Sequence, residues 1–231
     1  MKGTKKRIGI LGGISAASTL QYYKGITDLY FEREGDYYYP EILINSLDFQ
    51  LFTDFEDQNR MEEYIAYIKE GIGRLKLAGA DFVAMAANSP HSVFPQLAAD
   101  KTLPPLVSIM EAVAMEARRR KMKKLLLTGI RYTMDRTFYQ EALAAHGLEV
   151  SVPSLPERRL INEIIFGELA VGKFTEESRR AFRAVVEAYP VDGVILGCTE
   201  LPLLLKQEHT EMPLLDSLDL HCRAILREAL S

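Results

Sequence analysis

Cysteine is scarce in this chain: Cys198 and Cys222 are the two thiols among 231 residues. Two cysteines at this length do not make a disulfide framework, so both are expected reduced in a cytoplasmic setting. Charge of one sign is also lacking. Lysine and arginine number 28 against 32 aspartate and glutamate, a net charge of −4, which argues against a nucleic-acid partner. The one basic run, Arg118 to Lys121 with Lys123 and Lys124, precedes an apolar run and reads as a solvated helix end. No apolar stretch approaches the ~20 residues that span a bilayer, so no membrane association is expected. Residues 1–7 are basic and run straight into an apolar strand, without the pattern of a secretory signal. Metal-site spacing is missing too: Cys198, His209 and Cys222 are far apart, with no clustered carboxylates. The segment "GILGGIS" lacks the third glycine of a dinucleotide fingerprint and the lysine of a P-loop. No cofactor is expected.

What is present is an ordinary globular balance, 48% apolar and 26% charged, enough for one large or two small domains. Short apolar runs alternate with helical patterns. Strands are expected at 7–11, 41–47, 81–86, 124–128, 148–152 and 193–196. Helices are expected at 15–34, 58–77, 108–121, 133–146, 158–170, 175–189, 201–205 and 218–230. In the helix at 58–77, Tyr64, Ile65, Ile68, Ile72 and Leu75 form one stripe. This rhythm implies α/β architecture with parallel strands.

The rhythm also repeats. "DFVAMAANS" (81–89) parallels "DGVILGCTE" (192–200), and "RIGILGG" (7–13) parallels "KLLLTGI" (124–130). Two similar doubly wound parallel-sheet half-domains facing each other across a cleft are therefore expected. The first spans 1–104, with the last helix, 216–231, packing back on it; the second spans 105–215.

Ligands of open parallel sheets sit outside the carboxyl ends of the strands. Four segments lie there: Gly12 to Ser15, Ala87 to His91, Gly129 to Met134, and Gly197 to Glu200. Cys198 follows a strand and precedes the short helix at 201–205, whose N-terminus would favour a thiolate able to act as base or nucleophile. Cys222 lies inside the last helix and reads as core. Gly13, Ser15, Asn88, Ser89, Thr133 and Thr199 offer the backbone N–H groups and small polar side chains that suit a carboxylate, although each is also an ordinary loop residue. His91 is either a second acid/base or simply the start of a helix. Glu200 could orient the thiol, bind an ammonium group, or lie at the surface.

The motifs resemble the aspartate/glutamate racemase family, whose members work without pyridoxal phosphate. "IGILGGISAASTLQYY" (8–23) is similar to its N-terminal signature, with Ile14 where methionine is usual and Ala17 where glutamate is frequent. "INSLDF" (44–49) resembles the second-strand segment. "GIRYTM" (129–134) is similar to its G-T-R-x-T-M loop, with Ile130 replacing threonine. "GCTELPLLL" (197–205) matches the C-terminal catalytic motif. The resemblance implies two-base proton transfer at the α-carbon of an acidic amino acid, one cysteine from each half, and a homodimer. It implies Cys198 as one acid/base. The other cysteine belongs to a C-N-T-x-H motif, which here reads Ala87-Asn88-Ser89-Pro90-His91, so Ala87 stands in its place. Lys173, in a region similar to the family's "ELxxGK", becomes a candidate for the substrate's side-chain carboxylate, or is a surface lysine. Two alternatives stay open: a one-cysteine decarboxylase of the arylmalonate type, and a dicarboxylate-binding homologue without turnover.

Overall fold

A computed structural model describes residues 5–231. Eight strands run in chain order: β1 (Ile8–Gly12), β2 (Ile42–Ser46), β3 (Phe82–Met85), β4 (Leu106–Val107), β5 (Lys124–Gly129), β6 (Glu149–Ser151), β7 (Gly193–Gly197) and β8 (Leu214–Asp216). They form two four-stranded sheets, ordered β2-β1-β3-β4 and β6-β5-β7-β8. Every pairing is parallel. Parallel neighbours need crossover connections, and helices flank both sheets. The central strands β1, β3 and β7 are buried along their whole length, as strands covered on both faces must be.

The chain divides into two compact units. One holds the residues up to Ser108 together with His221–Ser231; the other is Ile109–Leu220. The two sheets have the same strand order, and the repeated aspartate has the same task in each. Asp81 Oδ2 accepts from the Arg7 amide at 2.6 Å, at the start of β1. Asp192 Oδ2 accepts from the Lys123 and Lys124 amides at 2.7 and 2.8 Å, at the start of β5. Those amide bonds hold the Asp192 carboxyl below its ordinary pKa.

The first long helix, Ala16–Glu34, is capped by the Ser15 hydroxyl and stopped by Gly35 at φ 69°. Tyr22, Ile26 and Tyr30, four apart, form its buried stripe. In Met61–Leu77, Tyr64, Ile68, Ile72 and Leu75 are buried and Ile65 is partly so. Each fully buried side chain of this kind contributes ~1.5–3 kcal/mol.

Several elements differ from expectation. A separate helix, Phe49–Asp57, precedes Met61–Leu77. Its buried Phe52 and Phe55 signal it, and Asn59 at φ 55° divides the two. The helix expected at 133–146 is two, Arg131–Asp135 and Phe138–Ala144, separated where Arg136 turns extended. The edge strands β4 and β8 were not expected at all; two and three residues are too few to show a period. The basic run does end a helix: Ile109–Arg119 stops there, with Arg119 and Arg120 both paired to Glu116.

Candidate active site

In the first unit the candidate residues gather at the carboxyl ends of β1 and β3. Gly13 has φ +83°, and a Cβ there would stand 2.3 Å from the Leu47 carbonyl oxygen, so only glycine fits this turn. Its amide donates to Thr19 Oγ1 at 2.8 Å, and Thr19 Oγ1 donates to the Ser15 carbonyl at 2.8 Å. The Ser15 hydroxyl is engaged as the helix cap. After β3, Ala86 and Ala87 lead into the short 3₁₀ turn Ser89–Val93. Ala87 is half-buried; Asn88 and Ser89 are each 6% exposed. Ser18 Oγ donates to the Ala86 carbonyl at 2.6 Å.

His91 does not reach this rim. It is wholly buried, with Nδ1 2.9 Å from the Ala87 carbonyl oxygen. Burial, and secondarily the neighbouring His221, lower its pKa to about 3. Of the two readings of His91, the structure opposes the second acid/base and favours the structural one: a buried ring with a lowered pKa is poorly placed to exchange a proton with a substrate near neutral pH.

In the second unit the frame is set by two glycines. Gly129 ends β5, Gly197 ends β7, and they are paired in register. A Cβ on Gly197 would stand 2.6 Å from the Thr128 carbonyl oxygen and 3.5 Å from Thr133 Cγ2. A Cβ on Gly129 would stand 3.5 Å from Thr133 Cβ. The absence of both side chains lets Thr133 settle over the strand ends. Thr133 is wholly buried, and its Oγ1 has no hydrogen-bond partner among the described residues. A buried hydroxyl without a partner costs ~1–3 kcal/mol, and such an exception in a native fold calls for an explanation.

Cys198 is the next residue after Gly197. It is partly exposed and packs against the second unit's core. Its Sγ donates to Glu200 Oε2 at 3.0 Å, and Thr199 Oγ1 donates to the same oxygen at 2.7 Å. The expected thiolate is corrected by this geometry. The helix that follows, Leu201–Leu204, is a single turn, too short to supply a useful dipole. Burial, then the Glu200 charge, push the thiol pKa well above its ordinary value; the Glu200 and Thr199 amides oppose them more weakly. The resting state is a thiol bonded to a carboxylate. Cys222 is wholly buried. Its sulfur lies 3.1 Å from where a Cβ on Gly25 would sit, which makes it a helix-packing residue.

Lys173 is exposed, just past the left-handed Gly172; the Ser178 hydroxyl, then the Thr175 hydroxyl and least the Lys173 charge, lower the Glu168 carboxyl pKa. It is not brought into hydrogen bonding with Cys198, Thr199 or Glu200. Sequence reasoning missed Ser18 and Thr19, which hold the first unit's loops, and Ser217, whose hydroxyl donates to the Leu196 carbonyl at 2.8 Å. The hydroxyls after the Gly12-Gly13 turn were the available signal.

Residues 11–225 match the model of the Asp/Glu/hydantoin racemase family. The chain belongs to that family. The broad specificity amino-acid racemase RacX of Bacillus subtilis is 24% identical over 216 residues, covering 91% of this chain and 92% of the relative. The crystal structure of an aspartate racemase homologue from Pyrococcus horikoshii superposes with a TM-score of 0.86 at 39% identity, covering 98% of this chain and all of the other. A protein from Yersinia pestis, provisionally assigned as an Asp/Glu racemase, superposes with a TM-score of 0.91 at 33% identity and the same coverage. This membership supports an amino-acid racemase activity in general terms. Among the described residues no group of histidine, cysteine and carboxylate side chains could hold a metal ion, and no helix is long and apolar enough to cross a membrane.

Proposed function

We propose that the protein moves the α-proton of an acidic amino acid without a cofactor, with Cys198 as acid/base and Glu200 as its proton partner. The observation that carries this reading is the 3.0 Å bond from the Cys198 thiol to the Glu200 carboxylate at the mouth of β7. Transfer of the thiol proton to Glu200 leaves a thiolate while the pair keeps a single negative charge. That thiolate can take an α-proton, and the thiol can return one. Thr133 and Thr199 are the proposed carboxylate ligands of the second unit, because hydrogen bonds there stabilise the charge that develops as the α-carbon becomes planar; Asn88 and Ser89 are proposed as carboxylate-binding groups of the first unit. The orphan hydroxyl of Thr133 supports this placement. Gly13 and Ser15 shape the first unit's rim, and Lys173 is a more distant candidate for the side-chain carboxylate.

Ala87 supports a second reading. It stands as far after Asp81 as Cys198 stands after Asp192, and a methyl group has no proton to give. Inversion needs an acid on each face of the carbanion. A single thiol suffices for a decarboxylase, where the C–C bond to carboxylate breaks, carbon dioxide leaves, and the electron pair it leaves behind takes the Cys198 proton. A dicarboxylate-binding protein without turnover is the remaining alternative.

Incubation with L- and D-aspartate and glutamate in D₂O separates these. Deuterium at the α-carbon with inversion is expected, with a solvent water in place of the missing second thiol serving the face opposite Cys198. Exchange with retention would replace inversion by one-base chemistry, and gas release from an arylmalonate would favour the decarboxylase. Tight binding with no exchange would defeat both enzymatic readings. We also propose a homodimer. Tyr37 and Tyr38 are 76% and 71% exposed, and Phe31 stacks on Tyr37 at 5.2 Å, an aromatic surface suited to a second copy of the chain. Sedimentation at twice the mass of one chain is the expected result, and a monomer at micromolar concentration would refute it.

A further inference from the structure

His91 and His221 lie 130 positions apart and meet inside the first unit. Both are wholly buried. Their rings pack edge to face, with centroids 5.6 Å apart and planes at 75°. Phe94 stacks on His91 from another side, at 5.6 Å and 9°.

Hydrogen bonds bear on the tautomer of each ring. A carbonyl can only accept. The backbone of Ala87, Asn88 and Val107 bonds to His91; the hydrogen is assigned to Nδ1, 2.9 Å from the Ala87 carbonyl oxygen. His221 Nε2, 3.0 Å from the Val107 carbonyl oxygen, carries it in the other ring. His221 Nδ1 is then an acceptor, and the Tyr22 hydroxyl at 2.9 Å supplies its proton. Both rings are neutral, each with a different nitrogen protonated.

The network ends at the loop that bears the candidate carboxylate ligands. The two successive carbonyls leaving β3 are each held by a side chain: Ala86 by Ser18, Ala87 by His91. Ser18 and Tyr22, four residues apart, lie on one face of the helix Ala16–Glu34. That helix therefore grips the loop directly through Ser18 and indirectly through Tyr22 and His221.

We propose that His91 and His221 form a positioning pair that fixes the backbone of residues 86–89 and so presents Asn88 and Ser89 to substrate. The catalytic part rests on the proposed function; the loop-fixing part does not.

The test uses amide side chains as partial mimics of each nitrogen. An asparagine amide reproduces a donor near Nδ1, and a glutamine amide a donor near Nε2. Hydrogen exchange of the segment 82–94, read by mass spectrometry on the free protein, reports the loop. His91→Asn and His221→Gln are expected to keep wild-type protection. His91→Gln and His221→Asn are expected to exchange there ~10-fold faster or more. In the same four variants, kcat for α-deuterium exchange into L-aspartate should fall ~10–100-fold only where protection is lost. Equal protection in all four would overturn the pair. Loss of loop protection in His91→Gln and His221→Asn, together with a wild-type protein that never exchanges aspartate, would leave the loop-fixing pair standing and defeat the activity. Should a variant fail to fold, nitrogen-15 spectra of the wild-type protein decide. Hydrogen on Nδ1 of His91 and on Nε2 of His221 supports the pair; the opposite tautomers overturn it.

Discussion

Cys198→Ser is expected to slow α-proton exchange by about 10³-fold while leaving the unfolding transition in place, because a hydroxyl is a far weaker acid than a thiol and acid/base groups supply ~10²–10⁴ of a rate. Glu200→Gln tests the other member of the dyad, and it separates reactivity from catalysis. The glutamine removes the negative charge that raises the thiol pKa and removes the acceptor of its hydrogen bond. The thiol pKa should fall, so alkylation of Cys198 by iodoacetamide should reach its plateau at lower pH than in the wild type. Exchange should nonetheless drop ~10²-fold, because the proton has lost its acceptor. Cys222 is wholly buried and does not compete for the reagent. Full exchange activity in the serine variant, or an alkylation profile unmoved by Glu200→Gln, would show that the dyad is not the proton-transfer unit.

The second large effect is on stability at mildly acid pH. Burial lowers the pKa of His91 to about 3 and of His221 to about 4, against ~6.5 for an unfolded histidine. Between those limits the unfolded chain binds more protons than the folded one. Stability is therefore complete above about pH 6.5 and falls as pH drops, by up to ~1.4 kcal/mol per pH unit for each ring. From pH 6 to pH 4 the pair should remove roughly 4 kcal/mol, a large share of a typical domain's ~5–15 kcal/mol. Carboxylates held low by ion pairs, such as Glu116 at about 2, begin to cost stability only below ~pH 4.5, so the histidine window is distinguishable. Urea midpoints measured from pH 7 to pH 4 should decline steadily in the wild type and about half as steeply in His221→Gln. A flat profile over that range would mean the rings are protonated in the fold or open to solvent.

Much of this molecule was legible in its sequence, for physical reasons. β1, β3 and β7 are continuous apolar runs because buried parallel strands have no polar face. The duplicated aspartates, Asp81 and Asp192, announced the two units because each closes the same amide gap. Cys198 and Thr133 were legible because glycine-ended strands leave room for them. Other features lay beyond one-dimensional reading. The state of the Cys198 thiol depended on a helix being one turn long and on a carboxylate two residues away. The environment of His91 depended on His221, which no local pattern connects to it. Helix boundaries near Asn59 and Arg136 depended on single backbone angles.

The helix Ser217–Ala229 begins in the second unit and ends in the first, since the division falls between Leu220 and His221. This has a consequence for synthesis on the ribosome. Ile109–Leu220 is contiguous and can close as soon as it is made, whereas the half translated earlier must wait for Tyr22 and Val107 to receive the imidazole of His221, which is translated after the whole of the other unit. The half made first is thus completed after the other, and a fragment of this unit truncated after residue 108 would need residues 221–231 supplied as a separate peptide.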